Sequence, residues 1–350
     1  MIWLTWRQFR VQAFVVAAAI AVLVAFLAIT GPGLLHNYAL SHAGFLDRIK
    51  YDRLSQDLYY VGQVALYAAP PVIGAFWGAP LIARELEAGT HRLVWNQSIS
   101  RIRWLVVKLA ITGLGAMVLT GLLSLAVTWW SSAIDDALDS GQAAGPYNLP
   151  RLLPAMFGSR GVVPIGYTAF AFALGVAIGL VTRRSIVAIA VTLAAVIAVE
   201  VLSPMLLREH LMTPASTSLV VTTENMRGLQ LSGPEENPEV IRIEAKIPGE
   251  GNWKVSEHTV NSAGQVQKTL PSYVAECGPP PPNIKDTETA PRPPISSCFQ
   301  RLADDGYRQE IKYFPADSFW LLQWREFGLF LLLAAGLTGF SFWRIKRDLT

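Results

Sequence analysis

The sequence predicts an all-α polytopic membrane protein: six transmembrane helices, with a small, mostly β domain between the fifth and sixth. Three observations predict it. Only 16% of the 350 residues are charged and 52% are hydrophobic, whereas a soluble globular domain carries about a quarter charged residues. The missing charge is concentrated in segments of about twenty residues, the length of helix that crosses a hydrocarbon core of about 30 Å. One stretch, 208–317, departs from this pattern and reads as water-facing.

Six spans lie along the chain, at about 12–30, 61–83, 104–130, 162–182, 186–207 and 319–343. Arg7 and Arg10 precede the first, as they would in a secretory signal. The apolar run is longer than a signal's core, Gly31-Pro32-Gly33 makes a poor cleavage site, and Trp3 and Trp6 sit where a signal is basic and small. The segment is therefore read as the first span, with 1–11 as an amphipathic helix on the membrane surface. The 34–60 loop carries Ile49, Leu54 and Leu58 near helical spacing among charges, which predicts a short helix on the outer surface.

Lys and Arg placement sets the orientation. Arg7, Arg10, Arg84, Arg92, Arg101, Arg103, Lys108, Arg183, Arg184, Arg344, Lys346 and Arg347 share one side if both termini are cytoplasmic. On the other side Arg48, Lys50, Arg53, Arg151 and Arg160 are partly offset by Asp47, Asp52, Asp57, Asp135, Asp136 and Asp139. The expected location is the plasma membrane. The formal net charge of +3 belongs to this asymmetry, and no basic patch interleaved with aromatics points to nucleic acid.

Residues 208–317 then lie outside the cell. Val240-Ile-Arg-Ile-Glu-Ala-Lys-Ile247 alternates, with Ile241, Ile243, Ala245 and Ile247 on one face of a half-buried strand. Segments 218–223 and 252–256 are weaker strand candidates, Asn261-Ser-Ala-Gly264 reads as a turn, and Gly278-Pro-Pro-Pro-Pro282 is polyproline II. Cys277 and Cys298, the only cysteines, flank the proline-rich loop. In an outward-facing domain they form a disulfide, which the chain-entropy model values at about 3 kcal/mol.

The sequence holds no phosphate-binding Gly-x-x-x-x-Gly-Lys-Ser/Thr loop, no His-x-x-x-His pair and no Gly-x-Ser-x-Gly elbow. Leu231-Ser-Gly-Pro-Glu235 echoes an ATPase signature but falls in the outer region. Nothing in these patterns argues for an enzyme or a metal site.

One insert between apolar spans stands out, from Leu81 to Trp104. Arg84, Glu85 and Glu87 lead to Gly89, Thr90, His91 and Arg92, then to Ser100, Arg101 and Lys108. Such charges cannot sit in hydrocarbon, so the segment lies in the interface or against a protein. The pattern Glu85-x-Glu87-x-Gly89-Thr90, followed by Ser100-Arg101 and Lys108, resembles the coupling-helix region of ABC-2 type transporter permeases. The six-span layout with both ends inside is also the family's. The 319–324 stretch and the basic tail are similar to a group of such permeases common in actinobacteria.

The resemblance implies a coupling helix at about 84–100 docked on a separate cytoplasmic ABC ATPase, in two copies, which carries the ATP and Mg. It also implies that 1–11 is the family's connecting helix, that a second permease subunit, identical or related, completes the transporter within membrane lipid, and that an amphipathic compound such as an antibiotic, peptide or lipid is exported. This chain puts about 110 residues between its last two spans, where the best-described members often have a modest hairpin. That domain suits a second reading, a non-transporting signalling or mechanotransmission subunit that binds a cell-envelope partner.

Within the spans, Gly74-x-x-x-Gly78 and Gly175-x-x-x-Gly179 permit close helix approach, between subunits or within one. Pro70, Pro71 and Pro80 are expected to break the second span. Glu200 is the single acid deep in an apolar span, and Arg325 lies at a comparable depth beside Glu326. Glu200 then either pairs with Arg325, faces a transport route, or stays hydrated near the interface.

Overall fold

The structure, a computed structural model, describes residues 2–89, 100–232, 239–247, 249–276 and 294–348. Two compact units divide the chain: Met1–Met212 with Asp317–Thr350, and Thr213–Ala316. Each is described by itself.

Among the described residues of the first unit, six helical stretches are long and apolar enough to cross a membrane. Helix α1 (Ile2–Leu40) is followed by the single turn α2 (Phe45–Ile49). The second stretch runs through α3 (Arg53–Ile73), a π-helical turn (Gly74–Gly78) and α4 (Ala79–Glu87). The third is α5 (Arg101–Asp139), and a connection containing α6 (Pro154–Phe157) leads to α7 (Val163–Thr182). Helix α8 (Ser185–Leu206) runs into α9 (Arg208–Leu211).

Helix α1 corrects two expectations. The 1–11 segment is not a separate helix, because nothing between Ile2 and Thr30 breaks the turn and α1 is continuous. Gly31-Pro32-Gly33, just past the expected end of the first span at about 30, lies inside the helix. It forms a notch for two indoles of α5: a Cβ on Gly31 would lie 2.5 Å from the Trp129 ring. Trp130 Nε1 donates to Thr30 Oγ1 at 2.9 Å beside it. Helices α1 and α5 have 39 residues each, about 58 Å at 1.5 Å per residue, or nearly twice the hydrocarbon thickness. Their surplus length builds a core of Leu34, Phe45, Ile49, Ile134, Leu138 and Tyr147.

That core also explains why 45–60 is not one surface helix. Phe45, Leu46 and Ile49 are buried in α2, and Asp52 then starts α3 by accepting from the Leu54 backbone N–H at 3.2 Å. The second span therefore begins well before residue 61. Its prolines do not break it. The ladder shifts to π register instead, with the Ala79 N–H donating to the Gly74 carbonyl, a pattern that accommodates an extra residue within a helix.

Helix α7 is the centre of the bundle, packed by α3, the π turn, α4, α5 and α8. The last helix, α12 (Phe319–Asp348), makes its most extensive contact. The glycine motifs lie here and face each other within the chain. A Cβ on Gly175 would clash with the Gly74 carbonyl oxygen, and one on Gly179 would lie 2.5 Å from that of Ala79. The small residues bring the second and fourth spans into backbone contact, so the motifs are committed inside the subunit.

In the second unit, β1 (Ala215–Leu219), β5 (Arg308–Phe314) and β4 (Trp253–Val260) form an antiparallel sheet in that order. Strands β2 (Met226–Ser232) and β3 (Glu239–Ala245) form a separate antiparallel pair. The turn α10 (Tyr273–Glu276) and helix α11 (Ile295–Asp304) complete the unit. Val221, Ile243, Leu270, Val274, Phe299 and Leu302 are its core. Glu257 of β4 ties the strand sets together by accepting from the Ala245 backbone N–H at 2.7 Å while Lys254 pairs with its other oxygen at 2.5 Å. Cys298 lies buried in α11, and Cys277 falls outside the described residues.

Candidate functional site

The six stretches gather the sequence-selected charges at two ends of the bundle. At the first end, Phe9, Trp77, Ile82, Trp104, Leu105, Leu180 and Ile345 form one apolar cluster, which brings the ends of α1 and α12 to the same face. The charged insert leaves from here. Residues Thr90, His91 and Arg92 lie outside the described residues, as does most of the 84–100 segment expected to be a coupling helix. On its near side stands α4, stopped at Gly89, whose φ of 69° needs the freedom of glycine. On its far side stands Ser100, whose side-chain oxygen accepts from the Arg103 N–H at 3.3 Å and caps α5.

The acidic pair has partners inside the subunit. Glu85 forms an ion pair with Lys108 of α5, a largely buried contact. Lys108 also lies 5.0 Å from the centre of the Trp104 ring. Glu87 accepts from the Ser185 backbone N–H at 3.0 Å and from its hydroxyl at 2.7 Å. A carboxylate at the start of α8 satisfies free N–H groups and meets the positive end of the helix dipole. The end of the second span is thereby tied to the third and the fifth. Arg84 is exposed.

At the other end the charges are buried. The Glu326 carboxylate, fully enclosed, takes Arg208 Nε at 2.8 Å and Nη2 at 3.3 Å. The Tyr167 hydroxyl donates to Glu326 Oε1 at 2.6 Å, and Ser203 reaches the same oxygen at 3.2 Å. The Arg208 guanidinium stands 4.1 Å from the Phe157 ring centre. One carboxylate thus fastens α7, α8, α9 and α12. Its neighbour Gln323 accepts from the Val162 and Val163 N–H groups at 2.9 and 3.0 Å and donates to the Phe157 carbonyl at 3.0 Å.

A second buried pair, Arg160 Nε to Asp135 Oδ2 at 2.9 Å, holds the approach to α7 against α5. Burial works against the Arg160 charge, but Asp135 and then Tyr59 more than offset it and raise the guanidinium pKa above its ordinary value. In the sequence Asp135 and Arg160 read as loop residues, Arg208 as the start of the water-facing stretch and Glu326 as part of the last span. Their pairing was hidden because the partners are 25 and 118 residues apart.

The expected Glu200–Arg325 pair does not form. Arg325 donates to the Leu211 carbonyl at 2.7 Å, since Glu326, one residue on, turns inward while Arg325 remains exposed. Glu200 faces a cleft of about 280 Å³ lined also by Tyr67, Tyr167, Pro204, Met205 and Arg208. Among the described residues, nothing pairs with its carboxylate. A separate groove of about 500 Å³ between α5, α7 and α12 is lined almost wholly by apolar side chains.

These six membrane-length helices, with a charged insert after the second and buried ion pairs among them, have a counterpart among known families. A family model described as "ABC-2 membrane transporter related" matches residues 17–208, more than half of the chain. The chain belongs to that family. The match covers the first five spans and ends before Thr213. No curated protein and no solved structure matches.

Proposed function

We propose that the chain is the permease subunit of an ATP-driven ABC exporter, working with a separate cytoplasmic ATPase and a second permease subunit to move an amphipathic compound outward. The observation that carries this is the family match over the spans that flank the charged insert. In this reading both termini, Arg84 and the 90–99 segment are cytoplasmic, and the insert docks on the ATPase. The arrangement around the insert supports a transmission role: Glu85 and Glu87 join its near end to α5 and α8. Helix α8 then carries Glu200, fifteen residues beyond Ser185 and about 22 Å along the axis. Displacement at the docking end therefore reaches the cleft through one rigid helix.

ATP and Mg belong to the partner. Thr213–Ala316 is extracytoplasmic in this reading, and Cys277 and Cys298 are disulfide-bonded, so non-reducing peptide mapping should recover them as one linked species. The size and separate core of that unit favour one second reading, a signalling subunit whose outer domain binds an envelope partner. Purification from native membranes in mild detergent tests the choice. The exporter reading expects a stoichiometric soluble subunit with a phosphate-binding loop, and ATP turnover raised by amphipathic compounds. An extracytoplasmic protein as the stable companion, with turnover indifferent to such compounds, would favour the second.

A further inference from the structure

The Glu200 cleft holds an unpartnered acid. Arg208 and Glu326 neutralise each other through two hydrogen bonds, which leaves the Glu200 carboxyl as the ionisable group in the lining without a partner among the described residues. Both phenols in the wall are committed, Tyr167 to Glu326 at 2.6 Å and Tyr67 to the Ala155 carbonyl at 3.0 Å. A second polar group is unfilled: Arg208 Nη1, which can only donate to an acceptor, has no hydrogen-bond partner among the described residues although the side chain is only 1% exposed. The remaining walls are apolar, and Val201 and Met205, 60% and 67% exposed, carry the cleft to the outward face of α8. On a spanning helix that face meets lipid. An ionised carboxylate at such a place is costly unless a partner or water compensates it.

We propose that this cleft binds the cationic head of an amphiphile whose apolar body lies along α8 in the leaflet, with Glu200 as its counter-ion. The chemistry comes from the site: one unpartnered carboxyl that a cation would hold ionised, apolar walls with room for a quaternary ammonium or small aromatic head, and a mouth bordered by the exposed Val201 and Met205 of α8. This ligand class sharpens the exporter reading and rests on it for biological meaning, but the binding itself needs no ATPase.

The test uses the full chain in nanodiscs of zwitterionic lipid, with three rod-shaped probes that differ only in the head: trimethylammonium-diphenylhexatriene, its propionate analogue and uncharged diphenylhexatriene. Energy transfer from tryptophan, corrected against empty discs, reports bound probe. The trimethylammonium probe should bind saturably and the other two should not. Glu200→Gln should weaken binding about tenfold or more, the scale of losing one close charge partner in a partly desolvated site. Met205→Phe, which narrows the mouth without altering charge, should weaken it as well and decides the matter if Glu200→Gln fails to fold. Equal binding of the propionate probe, or unchanged affinity in folded Glu200→Gln, overturns the proposal. Neither result touches the copurification test, so the two readings fail separately.

Discussion

The two ends of the bundle spend their acids differently. At one end Glu326 and Asp135 are enclosed and held by arginines through paired hydrogen bonds, with phenol, hydroxyl and ring contacts around them. At the other end Glu85 and Glu87 sit at the last turn of α4, where one reaches a lysine and the other caps a helix, and Glu87 remains exposed. Taking a charge out of water is expensive, and removing one member of a buried pair leaves that expense uncompensated. An exposed capping carboxylate loses little when its contact opens. The enclosed end is built to stay closed, while at the other end the exposed Glu87 cap joins α4 to α8 by a contact that parts at small cost, beside the more buried Glu85–Lys108 pair. In the exporter reading, this is the end that a transmitted movement would displace.

Substitutions can break the contrast, beginning with the largest effect. Glu326→Ala leaves Arg208 buried and unpaired, and should cost about 3–5 kcal/mol, read as a lowered melting transition by fluorescence-detected size exclusion. Replacing both partners with apolar residues of similar size should recover most of the loss. Gly175→Ala comes next, at about 1–3 kcal/mol, because an added Cβ meets the Gly74 carbonyl and overpacking has that cost. Gly115→Ala in α5, with nothing within 4 Å of an added Cβ, should be neutral. Lys108→Met leaves Glu85 partly buried without its lysine and should fall below Glu326→Ala, since Glu85 retains some access to water. The smallest effect belongs to Glu87→Gln. It should leave the melting transition nearly unchanged and speed hydrogen exchange only at the first turn of α8. A large loss of stability in Glu87→Gln would remove the distinction between the ends.

Legibility in the sequence tracks the range of the physics involved. The six spans were readable because apolar length is a local signal, and strand β3 because its alternation is local too. Gln323, the Arg208–Glu326 pair and strand β5 were not, since each acquires its role only from residues far along the chain. The Gly-Pro-Gly of α1 was legible only as a poor cleavage site, because its role depends on a distant residue: Gly31 makes room for Trp129. The glycine motifs announced close packing but not its partner, which proved to be another helix of the same chain. The acidic pair of the insert drew notice as a docking feature, but its contacts to α5 and α8 were not legible, because Lys108 and Ser185 lie far along the chain. Arg84 and Glu87 are the exposed charges before the segment from Thr90 to Ile99.

The central claim is that the Arg84 end of the bundle meets an ATPase. The most direct measurement places a photo-crosslinking residue at Arg84 and, as a control, at Leu125, which is 68% exposed on the side of α5, and irradiates native membranes. The exporter reading predicts a discrete adduct from position 84 that contains a nucleotide-binding protein, and only lipid or unreacted chain from position 125. Lipid adducts alone at both positions, with the chain folded and inserted, would contradict it.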